Sequence, residues 1–205
     1  MRLKHIKNAD VIIASSPYLV SNPTDYKGKW NTLFGNDNPI EIEIGTGKGK
    51  FITSLALDNP NTNYIGIEKY DSPLVSAVKR LEGIDIKNLK LLCVDAANIN
   101  DIFDKEVSKI YLNFSDPWPK NRHEKRRLTS SQFLDRYDLL FKGEKVIQLK
   151  TDNDSFYEYS LESLINHGYE VIKTDTSFID KYTTEYEDKF TSIGKNINYI
   201  YVVKK

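Results

Sequence analysis

The chain of 205 residues has few of the residues that build disulfides or metal sites. Its single cysteine, Cys93, cannot form a disulfide within the chain, so we expect a reducing compartment. It also has only three histidines, and no Cys and His residues recur at metal-ligand spacing. The sequence therefore predicts neither a disulfide-stabilised fold nor a metal site.

The chain also lacks long apolar runs and an excess of charge of either sign. No segment approaches the roughly 20 apolar residues of a membrane-spanning helix. The segment VIIASSPYLV is interrupted by Ser15, Ser16 and Pro17, so it is not typical of a signal peptide. The 29 basic residues balance the 29 acidic ones, so nucleic-acid binding would depend on local charge. We expect a soluble cytoplasmic protein that does not bind membranes.

The pattern of apolar residues changes near residue 39. Turn-forming and polar residues dominate residues 1–38, which we interpret as an irregular N-terminal arm. In residues 39–205, short apolar segments of strand type alternate with helix-type segments of about 10–15 residues. This alternation predicts one α/β domain with a mostly parallel sheet and helices on both of its faces.

An acidic residue stands at or near the carboxyl end of five successive predicted strands. One such acid is most often an ordinary helix cap or turn residue, but five in succession are hard to explain in that way. Because open α/β sheets bind ligands outside the carboxyl ends of their strands, these acids are candidate binding residues. They are Glu43, Glu68, Asp95, Asp116 and Asp152.

A glycine-rich loop, Gly45–Gly49, follows the first predicted strand. Lys50 occupies the position where a dinucleotide-binding loop has its third glycine, so that fingerprint fails. The small residues still let a ligand approach the backbone, and the preceding acid Glu43 favours a cationic ligand over a phosphate. Glu68, about 20 residues further along, is placed to accept hydrogen bonds from ribose hydroxyls.

The segment IYLNFSDPWPKNRHEKRR, residues 110–127, combines three features. Asp116 ends a predicted strand, the Pro117-Trp118-Pro119 corner forces a loop, and five cations follow within eight residues. A carboxylate, an aromatic ring and a basic cluster on one loop suit binding of a base attached to a phosphate chain. Two alternatives stay open: the cations could form a solvated surface, and Trp118 could brace the loop instead of stacking on a base.

These motifs resemble those of the bacterial tRNA (guanine-N7-)-methyltransferases over about residues 24–205. The matching segments are EIGTGKG, the acids Glu68 and Asp95, NFSDPWPKNRHEKRR, KTDN and TEYE. The resemblance implies a class I S-adenosylmethionine-dependent, Rossmann-like fold, with a seven-stranded sheet whose last strand is antiparallel. It also implies methyl transfer from S-adenosylmethionine to N7 of guanine 46 in the variable loop of tRNA, giving 7-methylguanosine. The first residues, MRLKHIKNAD, match the family less well, so the arm receives no role.

The resemblance further implies roles for individual residues. The cofactor contacts would be Glu43, Gly45, Gly47, Glu68, Asp95 and Asp116, of which Asp116 would also be catalytic. The acceptor guanine and its RNA would be bound by Lys120, Arg122, His123, Lys125, Arg126, Arg127, Asp152, Thr184, Glu185, Tyr186 and Glu187. Apart from the resemblance, Thr184 to Glu187 also has the pattern of a helix cap followed by an acid.

The predicted reaction suits these residue types. Guanine N7 has an in-plane lone pair and no proton, so it can attack a sulfonium methyl group without a strong general base. The purine gains positive charge during the reaction, and a carboxylate such as Asp116 can stabilise that charge. Asp116 and Asp152 would also be able to accept hydrogen bonds from guanine N1–H and N2–H₂.

Two other functions remain open on the sequence alone. The Asp116-Pro117-Trp118 segment is similar to loops of exocyclic-amine methyltransferases, although the basic cluster disfavours a protein substrate. A non-catalytic RNA-binding protein on the same fold is disfavoured by the full set of strand-end acids. The sequence leaves monomer and homodimer open and indicates no obligatory partner protein.

Overall fold

A computed structural model describes residues 6–205 and contains, in that range, seven strands in one sheet. The strands are Ile40–Ile44 (β1), Asn63–Glu68 (β2), Leu89–Cys93 (β3), Val107–Asn113 (β4), Lys145–Thr151 (β5), Glu170–Asp175 (β6) and Asn198–Lys204 (β7). Their order in the sheet is β3-β2-β1-β4-β5-β7-β6. β1 to β5 are parallel, whereas β7 is antiparallel to both of its neighbours. The predicted α/β fold with an antiparallel last strand is confirmed.

Helices connect the strands and cover the sheet. The α-helices in residues 6–205 are Ala9–Ala14 (α1), Trp30–Phe34 (α2), Lys50–Asp58 (α3), Asp71–Arg80 (α4), Ser131–Asp138 (α5), Asp154–Asn166 (α6) and Glu185–Thr191 (α7). Three short 3₁₀ helices span Pro23–Tyr26, Ala96–Asp101 and Asn121–Arg126. Local sequence sets helix ends: the Asn153 side chain caps α6 by accepting the N–H of Phe156 at 2.8 Å. No helix of the described range has the length and apolar composition of a membrane span.

Alternation of side chains along the strands divides the apolar residues between two clusters, one on each face of the sheet. Ile42 of β1 and Leu149 of β5 belong to the first cluster, which α5 and α6 cover. Phe51 of α3 and Leu74 of α4 belong to the second, against β2 and β3. Glu43, which is one residue after Ile42, therefore faces away from the first cluster.

The described part of the N-terminal arm packs against the rest of the chain. α1 contacts α4, and the backbone N–H of Leu91 in β3 donates to the carbonyl of Tyr18 at 2.8 Å. Trp30 is fully buried, and its indole N–H donates to the carbonyl of Ile102 at 3.0 Å. A boundary between arm and domain stays a prediction, and residues 1–5 of the arm lie outside the described residues.

Candidate active site

The strand-end acids meet at one edge of the sheet. β1 lies between β2 and β4, so the strand order reverses direction there. The carboxyl ends of two strands at such a reversal are where open α/β sheets form their ligand-binding crevice. All five predicted acids lie along this edge, either in a strand or within three residues of its carboxyl end. The structure therefore brings them to the place where open α/β sheets bind ligands.

The glycine turn after β1 is open on one side. Gly45 and Gly47 have φ values of +81° and +58°, in the region that favours glycine. The amides of Gly45 and Thr46 donate to the carbonyl of Ile67 at 2.8 and 3.0 Å, which holds the turn beside β2. A Cβ at Gly45 would meet no other atom within 4 Å, so a ligand has room beside the turn.

Glu68, at the end of β2, is a buried carboxylate that already holds two backbone amides. Its Oε2 accepts the N–H of Gly47 and its Oε1 accepts the N–H of Tyr70, each at 2.9 Å. Burial raises the pKa of Glu68 above its ordinary value, and the amide bonds only partly oppose this shift. Because each carboxylate oxygen can accept two hydrogen bonds, Glu68 keeps acceptor capacity for a ligand.

Glu43 connects the glycine turn with β4. Its carboxylate accepts the hydroxyl of Thr46 at 2.6 Å and the side-chain amide of Asn113 at 2.8 Å. Burial raises the pKa of Glu43 to about 7, although these two hydrogen bonds lower it. Asn113 Oδ1 and Ser115 Oγ are buried without a hydrogen-bond partner in residues 6–205. Polar groups of a ligand at the crevice would satisfy such atoms.

Asp95 begins the 3₁₀ helix that follows β3. Its Oδ1 accepts the N–H of Ala97 at 3.0 Å, and its Oδ2 pairs with the ammonium of Lys69 at 2.7 Å. Burial alone would raise the pKa of Asp95, but the amide and the ammonium outweigh burial and the pKa is lowered. Asp95 is therefore a fixed anionic group close to the end of β2.

Asp116 is exposed on a loop with two unusual backbone positions. Phe114 and Trp118, on either side of it, have φ values of +52° and +41°, which non-glycine residues rarely adopt. The N–H of Phe114 donates to the carbonyl of Lys150 in β5 at 2.8 Å, so the loop leaves the sheet from a fixed point. Such conformations persist where surrounding contacts enforce them, and they cluster at functional sites.

Arg127 is one of the contacts that enforce this loop. Its Nε donates to the carbonyl of Pro117 at 3.0 Å, and its Nη2 donates to the carbonyl of Trp118 at 3.2 Å. The guanidinium also lies 4.1 Å from the centre of the Tyr159 ring. Because these contacts engage the guanidinium within the protein, Arg127 stabilises the loop that carries Asp116. Its predicted contact with RNA stays a prediction.

Trp118 lies between two residues of the basic cluster. The guanidinium of Arg126 is 4.9 Å from the centre of the Trp118 ring, and the His123 ring packs against it edge-on at 5.6 Å. These contacts favour a bracing role for Trp118, and stacking on a base stays a hypothesis.

The remaining four cations of the cluster have no acidic partner in the described part of the chain. They are exposed, and they form no ion pair with any side chain of residues 6–205. Their charge is therefore available to a polyanion. These residues are Lys120, Arg122, Lys125 and Arg126.

The Thr184–Glu187 segment forms the start of α7. Thr184 Oγ1 accepts the N–H of Glu187 at 2.9 Å, and the Glu187 carboxylate accepts the N–H of Thr184 at 3.4 Å. Together these bonds are a capping box, so the helix-cap interpretation is confirmed. Contact of either residue with the acceptor stays a prediction.

Tyr186 and Glu185, between Thr184 and Glu187, connect α7 with two other parts of the structure. The Tyr186 hydroxyl donates to Asp152 Oδ2 at 3.3 Å, and the Tyr186 ring centre lies 5.0 Å from that of Phe114. Glu185 pairs with Arg80 at the end of α4. The structure thus places Asp152, Tyr186 and the Asp116 loop side by side.

Lys150 is the first residue of the KTDN segment, and the sequence analysis gave it no role. Its side chain is fully buried, and its ammonium lies 2.9 Å from the Asp180 carboxylate and 3.3 Å from that of Glu187. It also donates to the carbonyl of Tyr182 at 2.7 Å. The sequence did contain a signal for Lys150, namely a lysine within the apolar strand VIQLKT. An ammonium at a buried strand position requires charged or polar partners, so such a lysine indicates a buried polar contact.

Known proteins are similar to this sequence along nearly its whole length. Residues 37–200 match the family described as "Putative methyltransferase". The tRNA (guanine-N(7)-)-methyltransferase of Bacillus subtilis (strain 168) is 48% identical over 204 residues, which cover 96% of each chain. The protein of the same name from Geobacillus sp. (strain WCH70) is 50% identical over 204 residues, covering 96% of this chain and 93% of that one.

A solved structure supports the fold independently. A SAM-dependent methyltransferase from Aquifex aeolicus matches with a TM-score of 0.58 and 13% identity, covering 97% of this chain and 99% of that chain. At such identity the likeness shows the fold alone, which is the S-adenosylmethionine-dependent methyltransferase fold that the sequence predicts. Since its relatives are about half identical over almost the whole chain, this protein belongs to the tRNA (guanine-N7-)-methyltransferase family.

Proposed function

We propose that this protein transfers the methyl group of S-adenosylmethionine to N7 of guanine 46 in the variable loop of tRNA. The observation that carries this proposal is the position of Asp116, an exposed carboxylate just after β4. It lies beside the crevice between β1 and β4, on a loop whose next residues expose unpaired cations. One loop therefore offers a carboxylate to a base and positive charge to phosphates.

The residues around the glycine turn fit S-adenosylmethionine, which would supply an electrophilic methyl group on a positively charged sulfur. The open side of Gly45 and Gly47 leaves room for a ligand, and Glu68 has lone pairs left for ribose hydroxyls. The carboxylates of Glu43 and Asp95 favour a cationic ligand at this edge. A nearby cation would in turn favour the ionised form of Glu43.

The acceptor would lie on the other side of the crevice, between the ends of β4 and β5. Asp116 and Asp152 would accept hydrogen bonds from the guanine edge that carries N1–H and N2–H₂. Tyr186 would keep Asp152 in position through the hydrogen bond seen in the structure. Because N7 carries no proton, the protein need only orient the base and stabilise the positive charge that develops on it.

The phosphates of the RNA would be bound by Lys120, Arg122, Lys125 and Arg126. Phosphate contacts supply much of the affinity for nucleic acid and position it without reading its sequence. His123 and Arg127 would act mainly by shaping the loop. A tRNA substrate also supports a cytoplasmic location.

Replacing Asp116 with asparagine should lower the single-turnover rate of methyl transfer at least about tenfold, equivalent to roughly 1.4 kcal/mol of transition-state stabilisation. The change is nearly isosteric on an exposed loop, so the thermal unfolding midpoint should not move. Asp101→Asn, at an exposed acid of the 3₁₀ helix Ala96–Asp101, is the control and should keep the parental rate. A parental rate for Asp116→Asn would contradict its catalytic role. Recovery of activity at high pH would indicate a protonated amine as acceptor.

Replacing Glu68 with glutamine should weaken binding of S-adenosylhomocysteine roughly 10-fold or more, since hydrogen bonds to a charged group contribute about 1.5–3 kcal/mol. Glutamine accepts through one oxygen only, so a turn amide or a ligand hydroxyl loses its acceptor. Titration calorimetry measures the affinity, and Glu82→Gln at an exposed position after α4 is the matched control. Equal affinity of the folded variant and the parent would exclude Glu68 from ribose binding.

Replacing Arg127 with methionine should lower turnover at saturating tRNA about tenfold, because the loop that positions Asp116 loses two hydrogen bonds. The slope of log affinity against log salt concentration should keep its parental value. By contrast, Arg122→Met should mainly reduce that slope by somewhat less than one unit, as expected for one lost phosphate contact. If Arg127→Met instead keeps its turnover and loses slope, Arg127 is an RNA contact.

A further inference from the structure

Lys150 carries a positive charge in the interior of the protein. Its side chain is 0% exposed, between the rings of Phe51 and Phe178 at 5.2 and 5.6 Å from its ammonium. Removing an ammonium from water is costly unless charged and polar partners replace the water. Those partners are Asp180, Tyr182 and Glu187, and all belong to the segment from residue 180 to residue 187.

The position of Lys150 in β5 links this segment with the Asp116 loop. Its backbone carbonyl accepts the N–H of Phe114, which starts the loop, at 2.8 Å. Two residues after Lys150 comes Asp152, which accepts the hydroxyl of Tyr186. Lys150 therefore contacts the Asp116 loop and the 180–187 segment, and it is close in sequence to Asp152. These are the three parts that would surround the methyl acceptor.

Other ion pairs also hold α7, but they are exposed to water. Lys50 pairs with Asp188, and Arg80 pairs with Glu185. In both pairs, each side chain is at least 30% exposed. Exposed ion pairs contribute little because water and salt screen them, whereas breaking a buried pair leaves an uncompensated charge. The Lys150 contacts are therefore the ones that fix the segment on the sheet.

We propose that Lys150 is a positioning residue for the methyl acceptor. It holds residues 180–187 against β5, so that Tyr186 and Asp152 keep their places beside the Asp116 loop. The Lys150 ammonium forms no hydrogen bond with the glycine turn or with Glu68, so its direct contacts lie on the acceptor side. This inference rests on the proposed function for its effect on catalysis, but the tether itself can be measured without RNA.

The test compares Lys150→Met with Lys109→Met. Methionine keeps most of the length of lysine and removes the charge. Lys109 is a partly buried lysine on the adjacent strand β4, where it lies over the rings of Tyr111 and Tyr201. Its charge interacts with that of Asp180, but it forms no hydrogen bond or ion pair with residues 180–187, so it controls for the loss of a nearby charge alone. Three experiments are made on each variant: amide hydrogen exchange without RNA, titration calorimetry for the affinity and stoichiometry of S-adenosylhomocysteine, and steady-state kinetics for kcat and KM with a tRNA transcript.

In Lys150→Met, amide exchange in residues 180–191 should accelerate at least about tenfold while exchange in β1 and β2 stays at the parental rate. Binding of S-adenosylhomocysteine should keep its stoichiometry and change by less than about threefold. The kcat per binding site should fall about tenfold or more with little change in KM, because exposed cations still bind the phosphates. Lys150→Arg, which keeps the charge, should recover part of the kcat.

The proposal is overturned if Lys150→Met matches Lys109→Met in both exchange and kcat. It is also overturned if cofactor affinity falls in proportion to kcat, since that would mean general disruption. Should Lys150→Met fail to fold, Asp180→Asn removes one partner from the loop and should accelerate exchange in residues 180–191 in the same direction. If exchange in residues 180–191 accelerates in Lys150→Met but the parent protein does not methylate tRNA, the tether is confirmed and only the proposed function is contradicted.

Discussion

The parallel alignment of β1 to β5 is the constraint on which the site depends. Parallel strands place all their carboxyl ends at one edge, and each return helix must cross a face of the sheet to start the next strand. The acids at the strand ends are far apart in sequence, and this arrangement brings them into one row along the edge of the sheet. The reversal of strand order between β1 and β4 then opens that row into a crevice with a cofactor side and an acceptor side.

A buried ionisable side chain organises each side of this crevice. On the cofactor side, Glu43 joins the glycine turn to β4 through Thr46 and Asn113. On the acceptor side, Lys150 joins β5 to the segment before α7. Because a buried charge tolerates few alternative arrangements, each of these groups restricts the loops that bond to it. Both groups thus connect a strand end to a neighbouring loop at the positions where a reaction needs defined geometry.

Local sequence pattern was enough to predict the parallel sheet, the glycine turn and the acids at the strand ends. These features depend on alternation and on turn residues, which act over a few neighbouring positions. The role of Arg127 could not be read in this way, because nothing local separates a cation that bonds to its own loop from one exposed to solvent. Lys150 likewise depends on the distant carboxylates of Asp180 and Glu187, which only the fold brings close.

The most direct test is to identify the atom that receives the methyl group. The protein would be incubated with isotopically labelled S-adenosylmethionine and two tRNA transcripts that differ only in having guanine or adenine at position 46. Digestion to nucleosides and mass spectrometry then locate the label. The account predicts labelled 7-methylguanosine from the first transcript and none from the second. Label on an exocyclic amine, or no label on RNA while S-adenosylmethionine binds, would contradict it.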